Sequence, residues 1–426
     1  MTINDAQPIR LYKNGIKEYG LMLAAVVGLM LAGLTMPLFT LGAFGICLLY
    51  VVLKNNEHSI CLMFFLLPFA NIFKLGPQST SLYTYLMLVL IVKLIFSRRY
   101  INANFVFLWA RLTILQAIGC KGNYTLLIKQ ACILLLIYGY FNSCQRITKE
   151  LTFNMAYGLI VSCLIGLMSE IIPGLGQYMR IVKAYEISAN TYRFTGLYTD
   201  PNFLSVSLIL ISLSIIILAE YNEIKKVDMW MCIPLLGFGI LTISKSFFLM
   251  LIMLVLLYSL IMWENHNYKT IILLAAVIAV VVLLTLTGKI TIFNSFIDRF
   301  KYSNDISTGR FAILANYFRH ILSNPIQAIL GFGIGARYVG KNVPHNTLID
   351  FIYYYGVLGS FFFCAGLNRA LRFGKTYKKI GNIAPAICVL VMFMALSALQ
   401  MYDFPFVLIL ALDYMRYPLQ RKRKGI

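Results

Sequence analysis

Three short stretches of this chain place a basic side chain where it could bind an anion or accept a proton. Arg193 begins the stretch RFTGL, Arg310 begins RFAIL, and His345 is followed by Asn346. A guanidinium binds anionic oxygens through paired N–H groups and keeps its charge at any working pH. An imidazole titrates near neutrality and can assist the deprotonation of a hydroxyl group. The three side chains predict chemistry on an anionic ligand, provided that the fold brings them together.

The elements that position these side chains are predicted to be membrane helices. The chain has 426 residues, of which 60% are hydrophobic and 12% are charged, and its mean hydropathy is +0.78. Lipid must therefore solvate most of it. We predict an all-α polytopic membrane protein, one membrane domain over residues 1–426, with about 12–14 transmembrane helices. The apolar runs are 19–35, 38–53, 58–73, 80–96, 102–119, 123–141, 152–172, 201–219, 229–243, 246–263, 270–288, 346–366, 383–401 and 404–415.

The formal charge of +21 follows the membrane topology rather than a nucleic-acid surface. With the N-terminus in the cytoplasm, the basic clusters fall in alternate loops, as the positive-inside rule requires. Both termini are then cytoplasmic, and no basic stripe with interleaved aromatic residues indicates nucleic acid. Two long segments, 173–200 and 289–345, become external loops. The weakest assignments are the division of 229–263 at Ser244-Lys245-Ser246 and the last run, which could be re-entrant.

The second external loop has the composition of a ligand-binding surface. It carries seven basic and two acidic residues, a net charge of +5, which suits an anionic ligand at the bilayer edge. Attraction to anionic lipid head groups is the alternative explanation. From Phe311 the apolar residues recur at helical spacing, which predicts an amphipathic surface helix capped by Ser307 or Thr308 and ended by Asn324-Pro325. The stretch GFGIG from Gly331 predicts a tight connection and does not match a dinucleotide fingerprint.

Three motifs in chain order resemble the superfamily of O-antigen polymerases and O-antigen ligases, which are bacterial membrane glycosyltransferases. The first is RFTGL at Arg193 with the Asp-Pro-Asn that begins at Asp200. The second is R-x-x-x-L at Arg310. The third is His345-Asn346, then nine residues, then G-x-x-G from Gly356. The motifs cover about residues 190–365, and the rest of the chain is similar in topology alone.

This resemblance implies a GT-C-like fold in the bacterial cytoplasmic membrane, with an active site on its external face. It implies a donor glycan linked to undecaprenyl diphosphate, and it assigns Arg193, Arg310 and His345 to the diphosphate and the reaction centre. Because the diphosphate departs with growing negative charge, fixed arginines would favour the chemical step. His345 could be a base or a hydrogen-bond orienter. The external loops contain no DxD-type acidic pair, so we expect neither metal nor cofactor.

Further substrate-binding candidates lie in or beside the same loops. They are Arg337, Arg319, Asn346, Asp350, Tyr317, Asp200, Asn202 and Arg111. Structural roles compete with these assignments: Asp200, Asn202 and Asn346 are good helix caps, and Arg193 could extend to lipid head groups. Arg111 is a charge within an apolar run, which usually marks a partner or a cavity.

Three functions fit these features. The first is a polysaccharide polymerase that transfers a growing glycan to another lipid-linked repeat unit. The second is a ligase that transfers the finished glycan to lipid A-core or another surface acceptor, with the same donor chemistry. The third is a flippase for lipid-linked oligosaccharides, for which internal repeats and interrupted helices would be expected. A polymerase would work beside a separate flippase and a chain-length regulator.

Overall fold

The computed structural model describes residues 16–97, 101–120, 124–179, 182–183, 192–273, 275–276, 287, 309–336, 338–371, 379–399 and 401–416. The described chain is predominantly helical. Its helices are α1 Ile16–Ala32, α2 Pro37–Leu53, α3 Asn56–Leu66, α4 Leu82–Phe96, α5 Ala103–Ile118, α6 Tyr124–Ser143, α7 Thr148–Leu167, α8 Pro201–Glu220, α9 Cys232–Leu241, α10 Lys245–Glu264, α11 Arg310–Leu322, α12 Pro325–Leu330, α13 Thr347–Leu371, α14 Ile380–Ala395 and α15 Asp403–Tyr414. One antiparallel pairing joins β1 Val182–Lys183 to β2 Tyr192–Arg193.

The helices confirm the predicted all-α membrane class. Each apolar run coincides with a described helix, apart from 270–288, most of which lies outside the described residues. By length and hydropathy, five described helices could cross a membrane: α6, α7, α8, α10 and α13. The predicted division of 229–263 is present, because α9 ends at Leu241 and Ser244 caps α10 by accepting from the N–H of Phe247.

Loops that the charge pattern assigns to one side of the membrane meet at one end of the helix bundle, here called the site end. Asn71 donates to the carbonyl of Tyr178 there, and the Tyr198 hydroxyl donates to Asp403 at 2.9 Å. At the opposite end, the Gln145 N–H donates to Glu57 at 3.1 Å and Arg146 lies 3.9 Å from Glu223. The alternation of loops predicted from sequence is therefore reproduced by contacts between loops that are distant in the chain.

Helix α13 is broken at Gly356, whose φ of 65° and ψ of 179° are not helical. This conformation is essentially restricted to glycine. The break leaves carbonyls without helical partners, and such groups must be satisfied within the protein at membrane depth. The GFGIG segment supplies the donors: Phe332 N–H bonds to the Tyr353 carbonyl at 2.8 Å and Gly333 N–H bonds to the Tyr354 carbonyl at 3.2 Å.

The external segment before α13 folds as a helix, as predicted. Gly309, at φ 78°, precedes α11, and the predicted caps Ser307 and Thr308 lie outside the described residues. Tyr317 and Ile321 face the protein and are buried. Phe311 and Leu322 are exposed apolar side chains, which suits a helix lying at the bilayer interface.

Candidate functional site

Arg193 is held at the site end by the loop that leads into α8. The Phe194 N–H bonds to the Leu241 carbonyl at 3.2 Å, so the loop is docked on the C-terminal end of α9. Gly196 follows with φ 55° and lies so close to α7 that a Cβ on Gly166 would be 2.7 Å from the Gly196 Cα. The positive φ thus favours glycine at Gly196, and the close packing requires glycine at Gly166.

The guanidinium of Arg193 joins this loop to the end of α9 and the start of α8. Its Nε donates to the Thr242 carbonyl at 3.2 Å, and its Nη2 donates to Asn202 Oδ1 at 3.0 Å. The Ser244 hydroxyl also donates to Asn202 Oδ1, at 2.6 Å. Asp200 caps α8 by accepting from the Asn202 N–H at 2.7 Å. Asp200 and Asn202 therefore have the capping and bridging roles that compete with ligand binding, and Asn202 contacts Arg193 directly.

Arg310 and the His345-Asn346 turn are both held by the C-terminal end of α14. Arg310 Nη1 donates to the Ala395 carbonyl at 3.0 Å, and the side-chain amide of Asn346 donates to the neighbouring Met394 carbonyl at 3.1 Å. The exposed carbonyls at a helix C-terminus carry partial negative charge and attract donors and cations. One helix end therefore places the second and third motifs side by side.

His345 has an unusual backbone conformation, with φ at 52°. A left-handed residue other than glycine costs about 1–2 kcal/mol, although Asn, Asp and His tolerate it better than most. The following Asn346 caps α13, because its Oδ1 accepts from the N–H groups of Leu348 and Ile349 at 3.0 and 3.1 Å. Asn346 thus binds both the start of α13 and the end of α14, so the backbone that carries the imidazole is held in place.

Burial and nearby charges change the pKa of His345. Partial burial lowers the pKa of His345 from its ordinary value of 6.5, the charge of Arg310 lowers it further, and the Asp200 carboxylate acts in the opposite direction. The charges of Arg310 and Asp200 therefore act on the imidazole in opposite directions. At neutral pH it is mainly uncharged, which is the form that can accept a proton.

Two of the other candidates lie in or just after the His345 turn. The Asn346 N–H donates to the Ser397 hydroxyl oxygen at 3.3 Å. Asp350 is buried in the first turn of α13. Thr347 completes the same connection, since its hydroxyl oxygen accepts from the Ala398 N–H at 2.8 Å.

The remaining candidates have other surroundings. Tyr317 is buried, and its hydroxyl donates to the Asn342 carbonyl at 2.8 Å, so it stabilises the external segment. Arg319 is exposed and donates to Asn316 at 3.2 Å. Arg111 is exposed, and its guanidinium carbon lies 3.8 Å from the centroid of the Phe107 ring. This cation–π contact stabilises its positive charge. Arg337 lies outside the described residues.

Sequence reasoning did not identify the groups that hold the arginines. Arg193 is bound by Thr242, and Asn202 is fixed by Ser244; the polar Ser-Lys-Ser between two apolar runs was the available signal. Arg310 is bound by a backbone carbonyl, that of Ala395, which no motif could reveal. Among the described residues, no group of three His, Cys, Asp or Glu side chains could hold a metal ion, and metal independence stays a prediction.

The chain matches no family model, no curated protein and no solved structure.

Proposed function

We propose that the chain is a polysaccharide polymerase of the O-antigen polymerase and ligase type, with a GT-C-like arrangement of about 12–14 membrane helices. It would extend glycans carried on undecaprenyl diphosphate at the external face of the bacterial cytoplasmic membrane, with both termini in the cytoplasm. The observation that carries the proposal is that Arg310 and Asn346, next to His345, are held by adjacent carbonyls at the end of α14, while Arg193 is held against Asn202 at the start of α8.

The chemistry follows from these positions. The donor diphosphate would bind between the guanidinium groups of Arg193 and Arg310. A hydroxyl oxygen of the acceptor sugar forms a bond to the anomeric carbon of the donor, while the bond from that carbon to the diphosphate oxygen breaks. The electron pair leaves with the diphosphate, where the arginines stabilise its growing charge. The hydroxyl proton passes to the neutral imidazole of His345.

The proposal favours a polymerase over a flippase because the polar side chains lie at one end of the bundle. A transporter would be expected to place them near the middle of the membrane at a repeat interface. A ligase would use the same donor site, and the acceptor distinguishes it. We keep it as the second candidate because the three motifs do not separate the two activities.

The direct test is reconstitution of the purified protein with undecaprenyl-diphosphate-linked repeat units, extracted from cells that lack this chain. A polymerase gives a ladder of longer lipid-linked glycans without any other acceptor. A ligase gives product only after a second acceptor lipid is added, and a flippase forms no bond. Absence of new glycosidic bonds under both conditions would refute the glycosyltransferase proposal.

Variants connect the activity to the site. We expect Arg310→Ala and His345→Asn to abolish the ladder while Lys226→Gln, an exposed charge at the opposite end, leaves it unchanged. Size-exclusion profiles in detergent check that each variant remains folded. A folded Arg310→Ala or His345→Asn variant with the wild-type ladder would remove these residues from the reaction.

A further inference from the structure

A buried carboxyl group at the site end takes no part in the proposed reaction. Asp403 is the first residue of α15 and is only 6% exposed. It accepts a hydrogen bond from the Tyr198 hydroxyl at 2.9 Å, and Tyr198 is a buried residue of the loop that carries Arg193. A buried carboxyl group is costly unless it is hydrogen-bonded. The contact therefore fixes the Arg193 loop against the start of α15.

The chain immediately before Asp403 holds the other site residues. The end of α14 accepts hydrogen bonds from Arg310 and from the side chain of Asn346. It leads into residues 396–402, here called the α14–α15 connection. In this connection the Ser397 hydroxyl oxygen accepts from the Asn346 N–H at 3.3 Å. One stretch of chain thus contacts Arg310, the residue after His345 and, at its far end, the Arg193 loop.

Tyr198 is joined to Arg193 by a short buried turn. The Tyr198 N–H bonds to the Thr195 carbonyl at 3.0 Å. Thr195 and Leu197 are both buried, so the turn is packed on its neighbours. Because close-packed segments have little free volume, such a turn moves as a unit. A displacement of Tyr198 would therefore displace the backbone of Arg193 as well.

We propose that Asp403 is a positioning residue for the two arginines and acts through Tyr198. This inference rests on the proposed function, in which both guanidinium groups bind one diphosphate. The two phosphoryl groups of a diphosphate have a fixed spacing, so both arginines bind at once only when their own spacing matches it. Arg193 and Arg310 are held by the ends of different helices, α9 and α14. The Tyr198–Asp403 bond connects the parts of the fold that carry them.

A neighbouring hydrogen bond provides a matched control. The Tyr402 hydroxyl and Thr84 Oγ1 are 2.8 Å apart. Tyr402 precedes Asp403 in the chain, and Thr84 lies on α4, which carries no candidate site residue. Tyr402→Phe therefore removes a tyrosine hydroxyl from the same region without touching the Arg193 loop. Equal effects of Tyr402→Phe and Tyr198→Phe would indicate a role in stability alone.

The first experiment measures lipid binding by the full chain in detergent with isothermal titration calorimetry. The probes are geranylgeranyl diphosphate and geranylgeranyl monophosphate. We expect the wild type to bind the diphosphate about tenfold more tightly, because only the diphosphate contacts both arginines. Tyr198→Phe and Asp403→Ala should reduce this preference to about threefold or less. Tyr402→Phe should keep it, and so should Asp403→Asn, whose amide oxygen can accept the same hydrogen bond.

The outcomes separate this inference from the proposed function. A wild type without the preference would refute the shared donor site, and with it both proposals. A preference that survives in Tyr198→Phe would leave the donor site standing and overturn the role of Asp403. The same role is overturned if Tyr402→Phe loses the preference equally, or if Asp403→Asn behaves like Asp403→Ala. Because the assay needs no turnover, it tests the positioning even where no glycosidic bond forms.

Kinetics in the reconstituted system give a second test. Preformed polymer on undecaprenyl diphosphate is the donor, and a fluorescently labelled single repeat unit is the acceptor. Tyr198→Phe and Asp403→Ala should each lower kcat/KM for the donor about 10- to 100-fold, with the KM for the acceptor unchanged. The double variant should be no slower than the slower single variant, because both changes remove the same contact. Additive losses would show that the two side chains act independently, which overturns the proposal.

Discussion

Replacement of Gly356 by alanine should destabilise the protein strongly, although it adds only one methyl group. The added Cβ would lie 2.3 Å from both the Gly331 nitrogen and the Ile329 carbonyl oxygen. These are backbone atoms, so no side-chain rotation relieves the contact. The left-handed φ of 65° is an additional penalty for any residue with a Cβ.

The magnitude can be worked from these features. An L-residue in such a conformation costs about 1–3 kcal/mol. Displacement of the GFGIG segment would break the bonds to the Tyr353 and Tyr354 carbonyls, each worth about 0.5–1.5 kcal/mol. The free energy of unfolding should therefore fall by about 2–6 kcal/mol. The external segment that carries Arg310 should also lose its attachment to α13.

The assay is unfolding of the purified protein by SDS titration in mixed micelles, with tryptophan fluorescence as the signal. Gly45→Ala in α2 is the matched control, because its Cβ would meet nothing within 4 Å, and we expect it to be neutral or slightly stabilising. Limited proteolysis of the external segment gives a second readout. A Gly356→Ala protein whose unfolding free energy lies within about 1 kcal/mol of the wild type would refute the reasoning.

Four further predictions concern the reaction. Arg310→Lys should lower the initial rate of polymer formation about 10²–10³-fold, because a point charge lacks the paired donors; a rate near that of the wild type would contradict the role of the guanidinium. His345→Asn should keep the melting temperature, since Asn tolerates positive φ, but lose about 10²–10⁴-fold in rate, and equal losses of rate and stability would indicate a structural role only. The rate should fall only as pH drops below 6.5, because the pKa of His345 lies below this ordinary value in the folded protein and the imidazole stays neutral above it. In Arg310→Ala the residual activity should fall at a higher pH than in the wild type, because loss of the nearby positive charge raises the pKa of His345. Activity should be complete in EDTA, and a loss restored by a divalent ion would overturn metal independence.

The apolar runs predicted the helices well because lipid imposes length and hydropathy on every span. The predicted division at Ser244-Lys245-Ser246 was confirmed by α9 and α10 because three polar residues interrupt an apolar run. The break at Gly356 was not predicted, since apolar composition continues through it. The G-x-x-G pattern was treated as part of a family motif, whereas its first glycine has a backbone reason of its own.

The candidate site was predictable in its side chains but not in its geometry. Charge alternation placed Arg193, Arg310 and His345 in external loops, and in the structure Arg310 and Asn346, next to His345, are held by the same helix end. The two arginines are held by backbone carbonyls at the ends of α9 and α14. Because every residue has a carbonyl, the sequence does not show which ones will accept. The predicted caps of α11, Ser307 and Thr308, lie outside the described residues, and Gly309 precedes the helix with a positive φ.

Helix α8 has an unusual position, because 94% of its most apolar window is buried inside the protein, against 39% for α10. Asp200 caps its N-terminus, and the charge of that carboxylate raises the pKa of His345. A helix enclosed by other helices has little contact with acyl chains. A change in bilayer thickness would therefore tilt the peripheral helices before it displaced α8. The catalytic rate should then depend only weakly on acyl-chain length, even where insertion of the protein depends on it strongly.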